Sequence, residues 1–281
     1  MISRLAKVKR EIIVVVLAIL VQFFGAMPLK PVVENMITSK VITSSVLYII
    51  SVGLALLVVY IAHKRGCVAP ISFVAEDGIY KLIAAGALGI VAASYISTGI
   101  TLGLSTFIES DLLVASNVSA DSWNYSTAEK LCKLIAVSVG APIVEEIIFR
   151  GALLGAMKKT FKTGTAVVIT SVVFGLLHRT SLLAILGASL SGIVLAYIYL
   201  ASGSLLCSIC LHSWVNLAVN VKAFWLTKEV SVEGVKGGIS TAMELSDMQL
   251  ALLFIVIGTV SAITFAVIIK RRLSAERDVA S

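Results

Sequence analysis

Charge is what this chain has least of. Only 14% of its 281 residues are Asp, Glu, Lys or Arg, where a soluble domain carries about a quarter. The mean hydropathy is +1.02. This excludes a soluble globular fold and leaves a polytopic membrane protein, a single transmembrane domain over residues 1–281 without a sizeable soluble part. Alternating apolar and polar strands are also missing, which excludes a barrel. Only helices then satisfy the backbone in hydrocarbon, so the fold class is an all-α transmembrane helix bundle. No basic run is interleaved with aromatics, so the net charge of +7 is no nucleic-acid footprint. It reads instead as orientation signals and contacts to anionic lipid heads. No internal repeat supports an inverted-repeat transporter.

Other absences narrow the processing and redox chemistry. Arg4, Lys7, Lys9 and Arg10 precede an apolar run, but no small-residue cleavage site follows, so the run is expected to be an uncleaved first span. The final Asp278-Val279-Ala280-Ser281 holds no cysteine for lipidation. Cys67, Cys132, Cys207 and Cys210 are scattered through or beside apolar segments. The C-x-x-C of the last two lacks a βαβ context, so they are expected to be ordinary small buried residues, with a redox or metal pair as the minor reading. The two N-x-S triplets, at Asn117 and Asn124, carry no weight.

What is present is eight apolar segments, near 11–33, 41–63, 82–107, 130–157, 164–180, 182–200, 203–223 and 249–269. Each suits a helical span of roughly 17–25 residues. Lys64, Arg65, Lys81, Lys158, Lys159, Lys162 and Lys270-Arg271-Arg272 all fall on one side of this arrangement, with the basic N-terminal tail. That side is cytoplasmic by the positive-inside rule, and both termini face it. Glu109, Asp111, Asp121, Glu229, Glu233, Glu244 and Asp247 fall opposite. Merging the fifth and sixth spans would break the pattern.

Against this background three places carry polar groups in mid-span. The fourth span reads Ala141-Pro142-Ile143-Val144-Glu145-Glu146-Ile147-Ile148-Phe149-Arg150. Each charge at a helix centre costs roughly 2.5–3.5 kcal/mol on insertion scales. Glu146 and Arg150 are four apart with the acid first, so they share a face and can pair. Glu145 is rotated about 100° away. Pro142 denies the Ser138 carbonyl its usual donor and favours a kink. The fifth span carries His178 at the end of its Phe174-Gly175-Leu176-Leu177-His178 run, and the seventh carries His212 and Asn216 on one face. His63, the remaining histidine, reads as an interfacial tip.

At 1.5 Å per residue, Glu145, His178 and His212 lie roughly 18, 21 and 14 Å from the cytoplasmic ends of their spans. In a layer of about 30 Å these are similar depths. A carboxylate beside an imidazole can activate water, and an imidazole with a carboxamide can stabilise an oxyanion. That inventory suits acyl-bond hydrolysis without a serine or cysteine nucleophile. Two histidines and a glutamate could equally hold a divalent metal such as zinc. Blander readings are a structural Glu146–Arg150 ion pair, interhelical hydrogen bonds from the histidines and Asn216, and a proton pathway.

With Glu145-Glu146 followed by Arg150, then Phe174-x-x-x-His178, then His212-x-x-x-Asn216, the sequence resembles the CPBP intramembrane proteases. That family includes the type II CAAX prenyl endopeptidases and the bacterial Abi-type proteins. The three elements are all present and in order, across about a quarter to a third of the chain. The resemblance implies an eight-helix intramembrane peptidase with its catalytic core over 130–223. It implies Glu145 as general base, His178 as its helper in activating water, His212 and Asn216 as oxyanion stabilisers, and Glu146 and Arg150 as support. The family has been described both as metal-dependent and as glutamate-dependent without metal. An amide in the fourth position and one well-placed acid favour the latter, with no cofactor. The expected partners are the lipid bilayer and a membrane-associated peptide or protein substrate, not nucleic acid, in a bacterial plasma membrane. The alternatives are a non-catalytic scaffold or bacteriocin-immunity protein that binds a partner, and a transporter or channel.

Overall fold

The computed structural model describes residues 2–67, 72–74, 79–108, 124–178, 181–221 and 245–280. Among them every regular element is helical, as the all-α reading requires. In chain order these are α1 (Ile2–Phe24), a 3₁₀ turn (Met27–Leu29), α2 (Lys30–Met36), α3 (Lys40–Lys64), α4 (Ile79–Ser105), α5 (Thr127–Ile135), α6 (Ala141–Glu146), α7 (Leu154–Met157), α8 (Thr163–Leu177), α9 (Leu182–Ser202), α10 (Leu205–Val221) and α11 (Asp247–Ala280). π-helical turns at Ala136–Gly140 and Ile147–Leu153 join α5 to α6 and α6 to α7.

Five described stretches are long and apolar enough to cross a membrane: Val8–Met36, Lys40–Lys64, Ile79–Ser105, Leu182–Ser202 and Asp247–Ser274. The expected fifth and seventh spans are shorter apolar helices of 15 and 17 residues. The expected fourth span is the segmented run 127–157. The fifth and sixth remain separate helices, because Ser181 caps α9 by accepting from the Ala184 N–H at 3.1 Å. Asn117 and the acids Glu109, Asp111, Asp121, Glu229, Glu233 and Glu244 lie outside the described residues.

The chain forms two compact units. The first comprises Met1–Val74, Asp121–Ala166 and Ser204–Leu226. In it α1 packs on α3, and α3 packs on α5, the first π turn and α6. Helix α10 packs on the same π turn and α6. Polar pairs fasten these helices. Gln22 Nε2 donates to Tyr48 Oη at 3.1 Å, and the Ala26 N–H donates to Ser51 Oγ at 3.0 Å. Lys159 pairs with Glu11, which is buried. At the N-terminal ends of α3 and α5, Ser39 Oγ donates to Glu129 Oε1 at 2.5 Å, while Glu129 Oε2 accepts from the Ser126 backbone at 2.8 Å.

The second unit comprises Ala75–Ala120, Val167–Gly203 and Thr227–Ser281. Its α4 packs on α9 and, most extensively, on α11. Leu102, Leu250, Ala251 and Phe254 form its core, with Tyr95 edge-on to Phe254 at 5.3 Å. Glycine permits that closeness: a Cβ at Gly99 would come within 2.8 Å of the Ala251 carbonyl, and one at Gly258 within 3.0 Å of the Ile96 nitrogen. The cysteines are free; Cys207 is buried as expected, but Cys210 is exposed.

Candidate active site

The site in the first unit is built on the run 127–157, and its backbone is unusual. An α-helix pairs each carbonyl with the N–H four residues on. At Pro142 no N–H exists. Here the backbone widens: the Ala141 N–H reaches back five residues to the Ala136 carbonyl. Past the glutamates the helix widens again, and the Leu154 N–H reaches the Phe149 carbonyl. Single π turns of this kind often mark functional positions, because each inserted residue redirects the side chains that follow.

Between these two turns stand the glutamates, and they differ in their surroundings. Glu146 is wholly buried. Its Oε1 accepts from Arg150 Nη1 at 2.7 Å and from His212 Nδ1 at 2.9 Å. Arg150 is itself 2% exposed. A buried charge of either sign would be costly alone, and here each has its partner. Glu145 is open to 15%, and its Oε2 lies 3.8 Å from His212 Nε2. That separation exceeds a direct hydrogen bond and suits one intervening oxygen.

His212 therefore bridges the two acids, one ring nitrogen to each. A carboxylate accepts, so Nδ1 carries the proton in its bond to Glu146, and Nε2 is the nitrogen presented to Glu145. With Arg150 positive and Glu146 negative, one proton shared by Glu145 and His212 leaves the four groups neutral in total. The proton can sit on either residue without changing that sum, which matters in a low-dielectric interior.

The first unit also holds Asn216, one turn beyond His212 on α10. Its Nδ2 donates to the Val137 carbonyl at 3.0 Å, and the Asn220 amide donates to the Asn216 carbonyl at 2.7 Å. Tyr48 on α3 lies within electrostatic range of the Glu145 carboxylate. The sequence reading passed over Tyr48 and Gln22. Their only sequence signal is a phenol and an amide within apolar runs.

His178 belongs to the second unit, just past the last residue of α8. Its Nδ1 donates to the Phe174 carbonyl at 2.9 Å, and its ring lies against the Phe174 ring at 4.6 Å between centroids. The F-x-x-x-H spacing thus has a physical content: one residue supplies both the acceptor and the platform for the imidazole four positions later. Phe174 is buried against Gly192 of α9, where a Cβ would come within 3.3 Å of its ring.

In the first unit the pair Glu145 Oε2 and His212 Nε2 supplies two donors, where a catalytic zinc takes three protein ligands. Among the described residues no three His, Cys, Asp or Glu side chains gather to hold a metal ion.

Residues 127–218 match the family described as type II CAAX prenyl endopeptidase Rce1-like. Over those 92 of 281 residues the chain is similar to that family. The matched segment contains Glu145, Glu146, Arg150, Phe174, His178, His212 and Asn216. It also contains both π turns. The Rce1-like match and the apolar helices together indicate a multi-pass membrane protein. No curated protein and no solved structure matches the chain.

Proposed function

We propose that the protein is a glutamate-type intramembrane endopeptidase that hydrolyses a peptide bond in a membrane-associated peptide or protein by activated water. The observation that supports this reading is the difference between the two acids. Glu146 is saturated by Arg150 and His212, while Glu145 keeps an open edge toward His212 Nε2.

Glu145 is the general base. It removes a proton from water as the oxygen bonds to the scissile carbonyl carbon, and it returns that proton to the amine as the carbon–nitrogen bond breaks. His178 assists by accepting from the same water through Nε2, a role the family motif assigns to it. The developing oxyanion takes a hydrogen bond from His212 Nε2 in its protonated form, with the second amide hydrogen of Asn216 beside it. Glu146 and Arg150 hold the His212 ring in orientation and offset its charge. No step is routed through a metal. The family suggests a prenylated C-terminal peptide as one substrate class, and the basic ends of the spans support a bacterial plasma membrane with both termini cytoplasmic.

A purified preparation assayed with two quenched-fluorescent peptides, one farnesylated at a C-terminal CAAX cysteine and one without the lipid, tests the reading. Glu145→Gln should lower turnover at least 100-fold, about 2.7 kcal/mol of barrier. Undiminished cleavage by that variant would sink the assignment. Inhibition by 1,10-phenanthroline, reversed by added zinc, would replace the water-only mechanism with a metal-assisted one. Comparative proteomics of membrane peptides from wild-type and Glu145→Gln cells then identifies the natural substrate. A cellular phenotype kept in full by the inactive variant would instead indicate a non-catalytic binding protein.

A further inference from the structure

Pro142 and Asn216 are 74 positions apart in the sequence, yet one hydrogen bond ties their chemistry together. In a π turn each carbonyl is paired with the N–H five residues on. The Ala136 carbonyl is paired in this way with the Ala141 N–H. The next carbonyl, that of Val137, would need the N–H of residue 142. That residue is proline and has none. Into this gap comes the side chain of Asn216, whose Nδ2 donates to the Val137 carbonyl at 3.0 Å.

We propose that Asn216 is a positioning residue whose amide stands in for the missing N–H of Pro142, so fixing the π turn that aims the glutamate pair. Geometry gives the reason it matters. One residue more or less in a turn rotates everything after it by about 100°. Glu145 and Glu146 follow the turn at its third and fourth residues beyond Pro142, so its collapse would carry Glu146 off the face that meets His212. Helix α10 grips the run at two points one turn apart: Asn216 at the Val137 carbonyl, and His212 at Glu146. The first grip sets the rotation that the second requires. A half-buried carbonyl within a membrane span finds no water once freed, which raises the penalty for losing the amide.

This goes beyond the oxyanion role, which would use the other amide hydrogen. The hydrogen bond stands apart from the peptidase reading; only the effect on turnover rests on it. A double-mutant cycle between residues 142 and 216 separates the two. In Pro142→Ala the backbone N–H returns and can meet the Val137 carbonyl itself, so the Asn216 amide becomes redundant.

Asn216→Ala, alone and with Pro142→Ala, should be melted in detergent and assayed with the two fluorescent peptides. Alone, Asn216→Ala should lower Tm by about 3–8 °C and kcat by at least ~10-fold with KM little changed. Combined with Pro142→Ala, it should cost less than half of either effect, and Pro142→Ala alone should stay within a few-fold of wild type. Additive losses in Tm would overturn the brace, and would do so even if no variant cleaves either peptide. Coupled Tm values with an undiminished kcat defect in the double variant would overturn the positioning role and leave Asn216 a direct oxyanion donor. Loss of turnover in Pro142→Ala alone would overturn it too, since the restored N–H would have failed to replace the amide.

Discussion

Glu145 and Glu146 are neighbours that share a side-chain chemistry and almost nothing else. The second is enclosed by Arg150 and His212, so its removal takes the bonded carboxylate away from a buried guanidinium. Breaking a buried pair from one side costs roughly 3–5 kcal/mol. At about 2–4 °C per kcal/mol for a chain of this size, Glu146→Ala should lower Tm by ~6–20 °C. Replacing both partners together, with Glu146→Leu and Arg150→Met, should restore much of that loss without restoring cleavage. Glu145→Ala, at the partly open acid, should move Tm by no more than ~2 °C. Thermal melts of these variants in one detergent give the comparison, and equal losses at both positions would contradict the division of roles. The i,i+4 spacing made the Glu146–Arg150 pair legible in the sequence, and the 100° offset marked Glu145 as facing elsewhere. That His212 would reach both acids was not legible, because which ring nitrogen meets which carboxylate depends on how α10 is rotated against α6.

At the scale of elements, the spans could be read from their apolar length, and the separate fifth and sixth helices from basic ends that had to share a side. The π turns could not. A proline in a helix announces a lost hydrogen bond, but whether the chain bends or widens is decided by a donor from elsewhere, here Asn216. Glycines in the motifs were equally silent. Gly175 sits between Phe174 and His178, and a Cβ there would come within 1.9 Å of Ser189 Oγ and 2.6 Å of the Ile185 carbonyl. The backbone atom cannot turn aside, so α9 would have to retreat. Alanine is the better helix former by about 1 kcal/mol, yet overpacking of this kind costs about 1–3 kcal/mol. Gly175→Ala should therefore be net destabilising. It should also depress turnover more than stability, because the Phe174 carbonyl and ring that hold His178 belong to the same turn. Adding Ser189→Gly removes one clash and leaves the other, so it should recover part of the loss. Full recovery would show that the Ile185 carbonyl is no obstacle.

For the whole molecule, orientation is the property that connects the apolar helices to a compartment. An eight-span arrangement expects the basic residues at the ends of the spans on one side, but they do not all carry the same weight. Lys159 is engaged with buried Glu11, so part of its charge is spent within the first unit. Lys64, Arg65, Lys81, Lys158 and Lys270 are exposed, as contact with an anionic leaflet requires. Each such residue near the surface of that leaflet is worth about 1 kcal/mol. An eight-span arrangement then has both termini in the cytoplasm, whereas seven spans would separate them. Because α8 and α10 are only 15 and 17 residues long, they are where the count is most open to challenge. Reporter fusions that fluoresce only in the cytoplasm and phosphatase fusions active only outside it, placed after Lys162, after Ser202 and at the C-terminus, decide the matter. Cytoplasmic signals at all three positions are expected, since α8 and α9 must cross as a pair between Lys162 and Ser202. Neutralising Lys158 and Lys162 should weaken the first signal more than Lys159→Gln does. A phosphatase signal at the C-terminus with cytoplasmic signals at the other two would show that α10 and α11 do not cross as a pair.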